Sequence, residues 1–153
     1  MRALRSLLIF KLGAWAGLAT AAAFVKRAVP SRGDEESDEV ALVAVFDGID
    51  LKSRAKAFRG GSMLSWFGGI AVDLRDAELA PDARLSVNTL FGGIAIRTPA
   101  TWRIESNASA LFGGVDARSP ATVEPDAPVL TLDGIAVFGG VAVNAEAGPA
   151  SAV

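Results

Sequence analysis

The sequence predicts an all-β fold, a solenoid of about five short coils preceded by one N-terminal apolar helix. Three observations carry this expectation. The first is a phrase that recurs five times: Phe46-Asp47-Gly48-Ile49, Phe67-Gly68-Gly69-Ile70, Phe91-Gly92-Gly93-Ile94, Phe112-Gly113-Gly114-Val115 and Phe138-Gly139-Gly140-Val141. The second is their spacing, 21, 24, 21 and 26 residues between successive phenylalanines; self-similarity at such a period marks stacked units that cannot bury their apolar faces alone. The third is alternation with a switch of face. Leu85, Val87, Thr89 and Phe91 share one parity, and after Gly92-Gly93 the apolar set resumes at Ile94 and Ile96 with the opposite one, the period-two pattern of a half-buried strand.

The same switch runs from Met63 and Phe67 to Ile70, Val72 and Leu74, with Asp73 and Arg75 outward. It recurs from Trp102, Ile104 and Phe112 to Val115 and Ala117, and from Phe138 to Val141 and Val143. A strand that swaps its buried face needs a bulge or corner, which glycine can supply through positive φ or by letting another backbone come close. The repeat residues expected to build these corners are Phe46, Gly48, Phe67, Gly68, Gly69, Phe91, Gly92, Gly93, Phe112, Gly113, Gly114, Phe138, Gly139 and Gly140, with the phenylalanines in the core. A small β-sandwich also has short strands and frequent turns; the fivefold recurrence at a regular period favours the solenoid. Leucine-rich repeats need a Leu/Asn ladder that is missing here, and propeller blades are longer.

In chain order, residues 1–29 hold the apolar stretch Leu7–Val25, interrupted only by Lys11. At about 1.5 Å per residue its 19 residues nearly span a hydrocarbon core of about 30 Å. Lys11 could snorkel to the headgroups, and Lys26, Arg27 and Arg32 follow. A cleaved secretory signal and an interfacial helix compete with a single-pass anchor; length and basic flanks favour the anchor. The basic residues after it slightly outweigh Arg2 and Arg5, which predicts a cell-membrane protein with its body on the cytoplasmic side. Residues 30–39 read as an acidic linker, 40–145 as the repeat body and 146–153 as a flexible tail that frays. Lys52, Arg54, Lys56 and Arg59 form a basic stretch suited to an acidic partner or to plain solvent exposure. Gly60-Gly61, Ala80-Pro81-Asp82-Ala83, Thr98-Pro99-Ala100, Asp133-Gly134 and 118–128 carry turn or loop signals.

Charge is unevenly spread. Residues 1–33 hold six basic residues and no acid, so of 15 basic residues nine remain against all 17 acidic ones, a net of −8 for the rest of the chain. A basic head on an acidic body suits a membrane, and no nucleic-acid partner is expected. With no His, Cys or Tyr, the usual general base, nucleophile and soft metal ligands are missing, and the Gly-Gly phrases lack the lysine and helix of a phosphate cradle. The expectation is a protein without catalytic residues, cofactors or metal.

The phrases WFGGIAVDL, LFGGIAI, LFGGV and VFGGVAV over roughly residues 40–145 resemble the C-terminal domain of the LiaF type of cell-wall-active antibiotic response proteins. That resemblance implies a small right-handed β-solenoid and a membrane-bound regulator that restrains a sensor kinase in envelope stress. Proteins of that type usually carry several membrane helices, whereas this chain has room for one. Two function classes follow: a membrane-tethered interaction or regulatory module, whose partner is a membrane-bound protein such as a sensor kinase or its own copies, and a scaffold that polymerises end to end as bactofilin-type filaments do, through open terminal edges.

Overall fold

The computed structural model describes residues 31–146. The expected N-terminal anchor and the tail beyond Glu146 lie outside the described residues. Among the described residues there is no helix, and none long and apolar enough to cross a membrane. Eleven strands make up this part: β1 (Glu39–Val45), β2 (Gly48–Lys52), β3 (Phe58–Trp66), β4 (Gly69–Asp73), β5 (Leu79–Thr89), β6 (Gly93–Pro99), β7 (Arg103–Ser106), β8 (Ser109–Ala110), β9 (Gly113–Ala117), β10 (Val129–Ala136) and β11 (Gly139–Glu146). They form a β-solenoid of about four turns.

All the strand pairs in its two sheets are parallel. One sheet runs β1-β3-β5-β10-β7, with β8 also on β10; the other runs β2-β4-β6-β11-β9. Each coil contributes one rung to each sheet, and the phrase at the corner joins them. In the second sheet the registers align Ile49 with Ile70, Ile70 with Ile94, Ile94 with Val141 and Val141 with Val115. The anticipated change of parity is therefore real: Met63, Leu85 and Val87 are buried before the corner, Ile70, Val72, Ile94, Ile96, Val141 and Val143 after it. The inner apex of the corner is narrow and takes small residues, Ala44, Ser65, Thr89 and Ala136, all 2% exposed or less. Leu130 and Leu132 continue the inward row of the first sheet, in register with Ile104 and Leu85, and Phe58, Leu74 and Trp102, at or next to strand ends, complete the core.

The rung order departs from the sequence order. The fifth coil (β10 and β11) sits between the third (β5 and β6) and the fourth (β7, β8 and β9). The chain skips a rung through the short connection after Pro99, then returns through residues 118–128, the longest connection between the described strands. Arg103 N–H donates to Pro128 O and Ala100 N–H to Glu146 O, which ties both crossings to the inserted coil. Consequently the fourth coil is terminal, and its strands are short and exposed. β11, which ends the described chain, is interior and paired on both sides; its alternation carries on to Glu146.

Several local expectations change. Gly60 and Gly61 lie inside β3 rather than in a turn, next to a register shift against β5. Asp133-Gly134 lies within β10, where Gly134 takes φ +139° and a Cβ would come within 1.9 Å of Val87 O. Ala80–Ala83 is the irregular part of β5, with Asp82 at φ 57°. The acidic segment is no free tether, since Arg32 makes an antiparallel bridge to Ala41. Arg54 N–H donates to Glu35 O, Arg59 N–H to Asp38 O, and Ala57 N–H to Asp38 Oδ1.

Both ends of the first sheet close with one device. Ser31 Oγ accepts from Val43 N–H (2.9 Å) and donates to Val43 O (3.3 Å) on β1. At the opposite end, Ser119 Oγ accepts from Ile104 N–H (2.7 Å) and donates to Ile104 O (3.0 Å) on β7. One hydroxyl thus satisfies both outward backbone groups of a single edge residue, blunting an edge that would otherwise template further pairing.

Candidate interaction surface

The corner is built by a division of labour within each phrase. The first glycine is required for space. A Cβ on Gly68 would lie 2.2 Å from Asp47 O, on Gly92 2.1 Å from Gly68 O, on Gly139 2.1 Å from Gly92 O, and on Gly113 1.8 Å from Gly139 O. These backbones stack so closely that the next amide reaches the same carbonyls: Gly69 N–H to Asp47 O and Gly93 N–H to Gly68 O at 3.1 Å, Gly140 N–H to Gly92 O at 3.2 Å. The first phrase carries Asp47 at this position, where its coil is the terminal one in the sheet order of the described strands.

The second glycine is not demanded by the fold. A Cβ on Gly48 or Gly114 would meet nothing within 4 Å, and on Gly69, Gly93 or Gly140 its nearest neighbour would be at 3.9, 3.8 or 3.4 Å. In register across the second sheet, these five floor a shallow hollow of about 920 Å³ together with Ala71, Ala95 and Ala142, with Asp50 and Asp116 at its two ends.

Positive φ, anticipated at glycine, falls on the phenylalanine in three of the five phrases, where Phe46, Phe67 and Phe138 stand at φ 52°, 54° and 50°; in the fourth it stays on Gly113 at φ 159°. The rings stand outside the corner with or without that conformation, since Phe91 and Phe112 are exposed without it. The phenylalanines are therefore not core residues, contrary to the parity argument; Phe46, Phe91, Phe112 and Phe138 are 48%, 40%, 61% and 50% exposed. Their rings form one ladder in rung order: Phe46 on Phe67 (4.9 Å), Phe67 on Phe91 (4.7 Å), Phe91 on Phe138 (5.0 Å), Phe138 on Phe112 (4.8 Å), all within 15° of parallel. Each contact is worth about 0.5–1.5 kcal/mol. Left-handed backbone costs about 1–2 kcal/mol per residue, so strain and stacking nearly offset each other. The ladder contributes little to the stability of the fold.

Leu90, Leu111 and Ile135 complete the group of large apolar side chains exposed on the described surface, and all belong to the same corner. Leu90 and Leu111 immediately precede phrase phenylalanines, and Ile135 lies one rung position further along the first sheet, paired with Asn88 and Ser109. The sequence reasoning missed these three, although alternation marks Ile135 as outward between Leu132 and Ala136. The result is a ridge about 20 Å long, at about 4.8 Å per rung. Concentrating all such residues on one corner is the mark of a contact surface.

The charged groups do not converge on chemistry. Lys52 pairs with Asp76 (2.8 Å), Lys56 with Glu78 (3.4 Å) and Arg54 with Glu35, so much of the basic stretch is neutralised by neighbouring acids. Arg75 donates from Nε to Asp73 Oδ1 (2.9 Å) and from Nη1 to Glu146 Oε2 (3.0 Å), binding the second coil to the inserted fifth. The Arg75 hydrogen bond holds the Asp73 carboxyl below its ordinary value. Asp34 is lowered by the Ser37 hydroxyl and the Glu36 amide, in a solvent-exposed turn. Among the described residues no three of His, Cys, Asp and Glu gather as metal ligands would. The hydroxyls of Thr89 and Thr98 and the indole N–H of Trp66 are buried without hydrogen-bond partners, in positions that do not converge.

Comparison with protein-family models, with curated proteins and with solved structures finds no match in any of the three.

Proposed function

We propose that this chain is a non-enzymatic, membrane-tethered interaction or regulatory module that presents the apolar corner to another protein, in the manner of the LiaF-type envelope-stress regulators its phrases resemble. The observation carrying the proposal is the ridge: every exposed large apolar side chain of the described body stands along one five-rung ladder of phenylalanines. Aromatic side chains of this kind, rigid and broad, are the anchors around which protein interfaces form. Tethering rests on the apolar stretch Leu7–Val25 and its basic flanks. The resemblance points to a membrane-bound sensor kinase as one class of partner.

The scaffold reading is supported by the second sheet, in which β2 and β9 pair on one side only. Against it stand the serine-capped edges of the first sheet and the charges on the second. Continuing that sheet from β9 of one copy to β2 of the next, in register, sets Asp116, whose carboxylate is ion-paired with Arg118 (3.0 Å), opposite the Asp50 carboxylate, a poorer cross-strand match than the small apolar pairs inside the sheet.

The test is fractionation of the full-length protein beside a chain starting at Ser31, with mass by light scattering and shape by negative stain. Membrane association of the full chain alone, with compact particles of few subunits, supports the tethered module. Rods growing with concentration would replace it with the scaffold, and a full chain that stays in the soluble fraction would remove the tether.

A further inference from the structure

The partner of the ridge can be identified by its shape, on the reading that the corner is a contact surface. The corner is convex, whereas an amphipathic helix seeks a groove. Beside the ridge, on the outer face of the second sheet, lies the hollow floored by glycines that the fold itself does not require. Ridge and hollow run parallel and share one repeat, because both are generated by the same rungs. A surface carrying rings every 4.7–5.0 Å is matched by another stack of strands with that spacing, as in the dry interfaces of paired sheets.

We infer that the occupant of this face is a second copy of the chain, docked side by side about a twofold axis parallel to the solenoid axis. The phenylalanine ridge of each copy then lies in the glycine-alanine hollow of the other. A rotation about that axis places coil against like coil, keeps both stacks pointing the same way, and exchanges ridge and hollow, so the interface is isologous and closes at two. Both bodies remain oriented alike, as two chains tethered in one membrane would be.

Area and charge agree with this occupant. The seven exposed apolar residues, 37–64% exposed, offer on the order of 600 Å² per copy if a full side chain of this kind is worth roughly 150–250 Å². Two such faces reach roughly 1,200 Å², the lower bound of a standard-size interface. The ladder and the glycine row carry no charge, and the charged groups of the hollow, Asp50 and the Asp116–Arg118 pair, stand only at its two ends. A lipid surface suits the face less well, because the body beyond residue 33 is acidic, with nine basic residues against 17 acids, and anionic headgroups repel it.

The experiment co-expresses two differently tagged full-length copies, captures one from detergent-solubilised membranes and measures recovery of the other. Hydroxyl-radical footprinting of the phenylalanines in intact membranes is run alongside. Ala95→Arg projects a charge from an exposed hollow position, Phe91→Ser interrupts the ridge, and Ser62→Glu, on the outer face of the first sheet, is the control. Thermal melts establish that each variant is folded. Co-capture by the parent and by Ser62→Glu, a fall of about tenfold or more for Ala95→Arg and Phe91→Ser, and ridge protection lost in both is the expected result. Co-capture indifferent to both substitutions places self-association elsewhere and overturns the inference. No co-capture with a protected ridge also overturns it, leaving the corner to a different protein. An unprotected ridge without co-capture overturns the second copy and the interaction surface together.

Discussion

Adjacent glycines in one phrase should respond to the same substitution in opposite directions. Gly92→Ala puts a Cβ 2.1 Å from Gly68 O and 2.8 Å from Ser65 Oγ, against about 3.4 Å for ordinary contact, so the rung must give by about 1.3 Å. The Gly68 carbonyl cannot yield freely, since it accepts from both Gly93 N–H (3.1 Å) and Ser65 Oγ (2.8 Å). Overpacking of this kind costs about 1–3 kcal/mol, and disturbing two hydrogen bonds adds about 1 kcal/mol each, for a loss of roughly 3–5 kcal/mol. Gly93→Ala meets nothing nearer than Gly140 O at 3.8 Å and stabilises by about 0.4–1 kcal/mol through the unfolded chain. Urea and thermal unfolding, followed by circular dichroism at concentrations low enough to exclude association, should separate the two by roughly 7–24 °C in Tm, at about 2–4 °C per kcal/mol for a chain of this size. Equal melting of both variants, or a larger loss for Gly93→Ala, would refute the argument that the first glycine is there for space and the second is not.

Other outcomes follow from the same structure. Ending the chain after Pro128 removes β10 and β11, and with them the only rungs on which β7, β8 and β9 pair. Hydrogen exchange should then show two coils lost instead of one, whereas a sequential stack would keep its fourth coil. Phe58→Ala, at a fully buried position, should cost about 3–5 kcal/mol, and Phe91→Ala less, about 1–3 kcal/mol, the value of its ring contacts with Phe67 and Phe138; chemical denaturation of both checks the external placement of the ladder. Asp73 has a carboxyl pKa below its ordinary 3.8 in the folded chain, so the folded state binds fewer protons there. Its contribution is complete above that ordinary value and is lost as pH falls through the folded one. Arg75→Gln should destabilise modestly at pH 7, since the pair is partly exposed and screened by solvent, and should flatten the acid limb of a stability-versus-pH titration.

How far the fold was legible in the chain depends on the range of the forces involved. Alternation is a local consequence of strand geometry, so the inward residues Leu85, Val87, Ile94, Ile96, Ile70 and Val72 and the change of face at each phrase followed from their order alone. The sense of each corner did not. Whether Phe or Gly takes the left-handed backbone is settled by the close stacking of successive corners, where Gly68 must clear Asp47 O and Gly92 must clear Gly68 O. Once glycine occupies the crowded position for its lack of a side chain, the ring before it is left outside the corner, with left-handed backbone at Phe46, Phe67 and Phe138 and without it at Phe91 and Phe112. The exceptional Asp47 falls in the coil that is terminal in the sheet order of the described strands.

By itself, the sequence determined that the chain is a repeat, that its strands are short and parallel-stacked, and that each phrase is a corner. Rung order belongs to the tertiary structure alone. The phrases present nearly the same apolar pattern to a neighbour, so Ile94 can stack on Val141 as well as on Val115, and nothing local distinguishes them. The choice is made over long range, by a connection long enough to carry the chain back at 118–128 and by ties such as Arg75 to Glu146 that hold the fifth coil inside. The same long-range order sets the sequence of rings in the ladder, and with it the continuous apolar face along the corner.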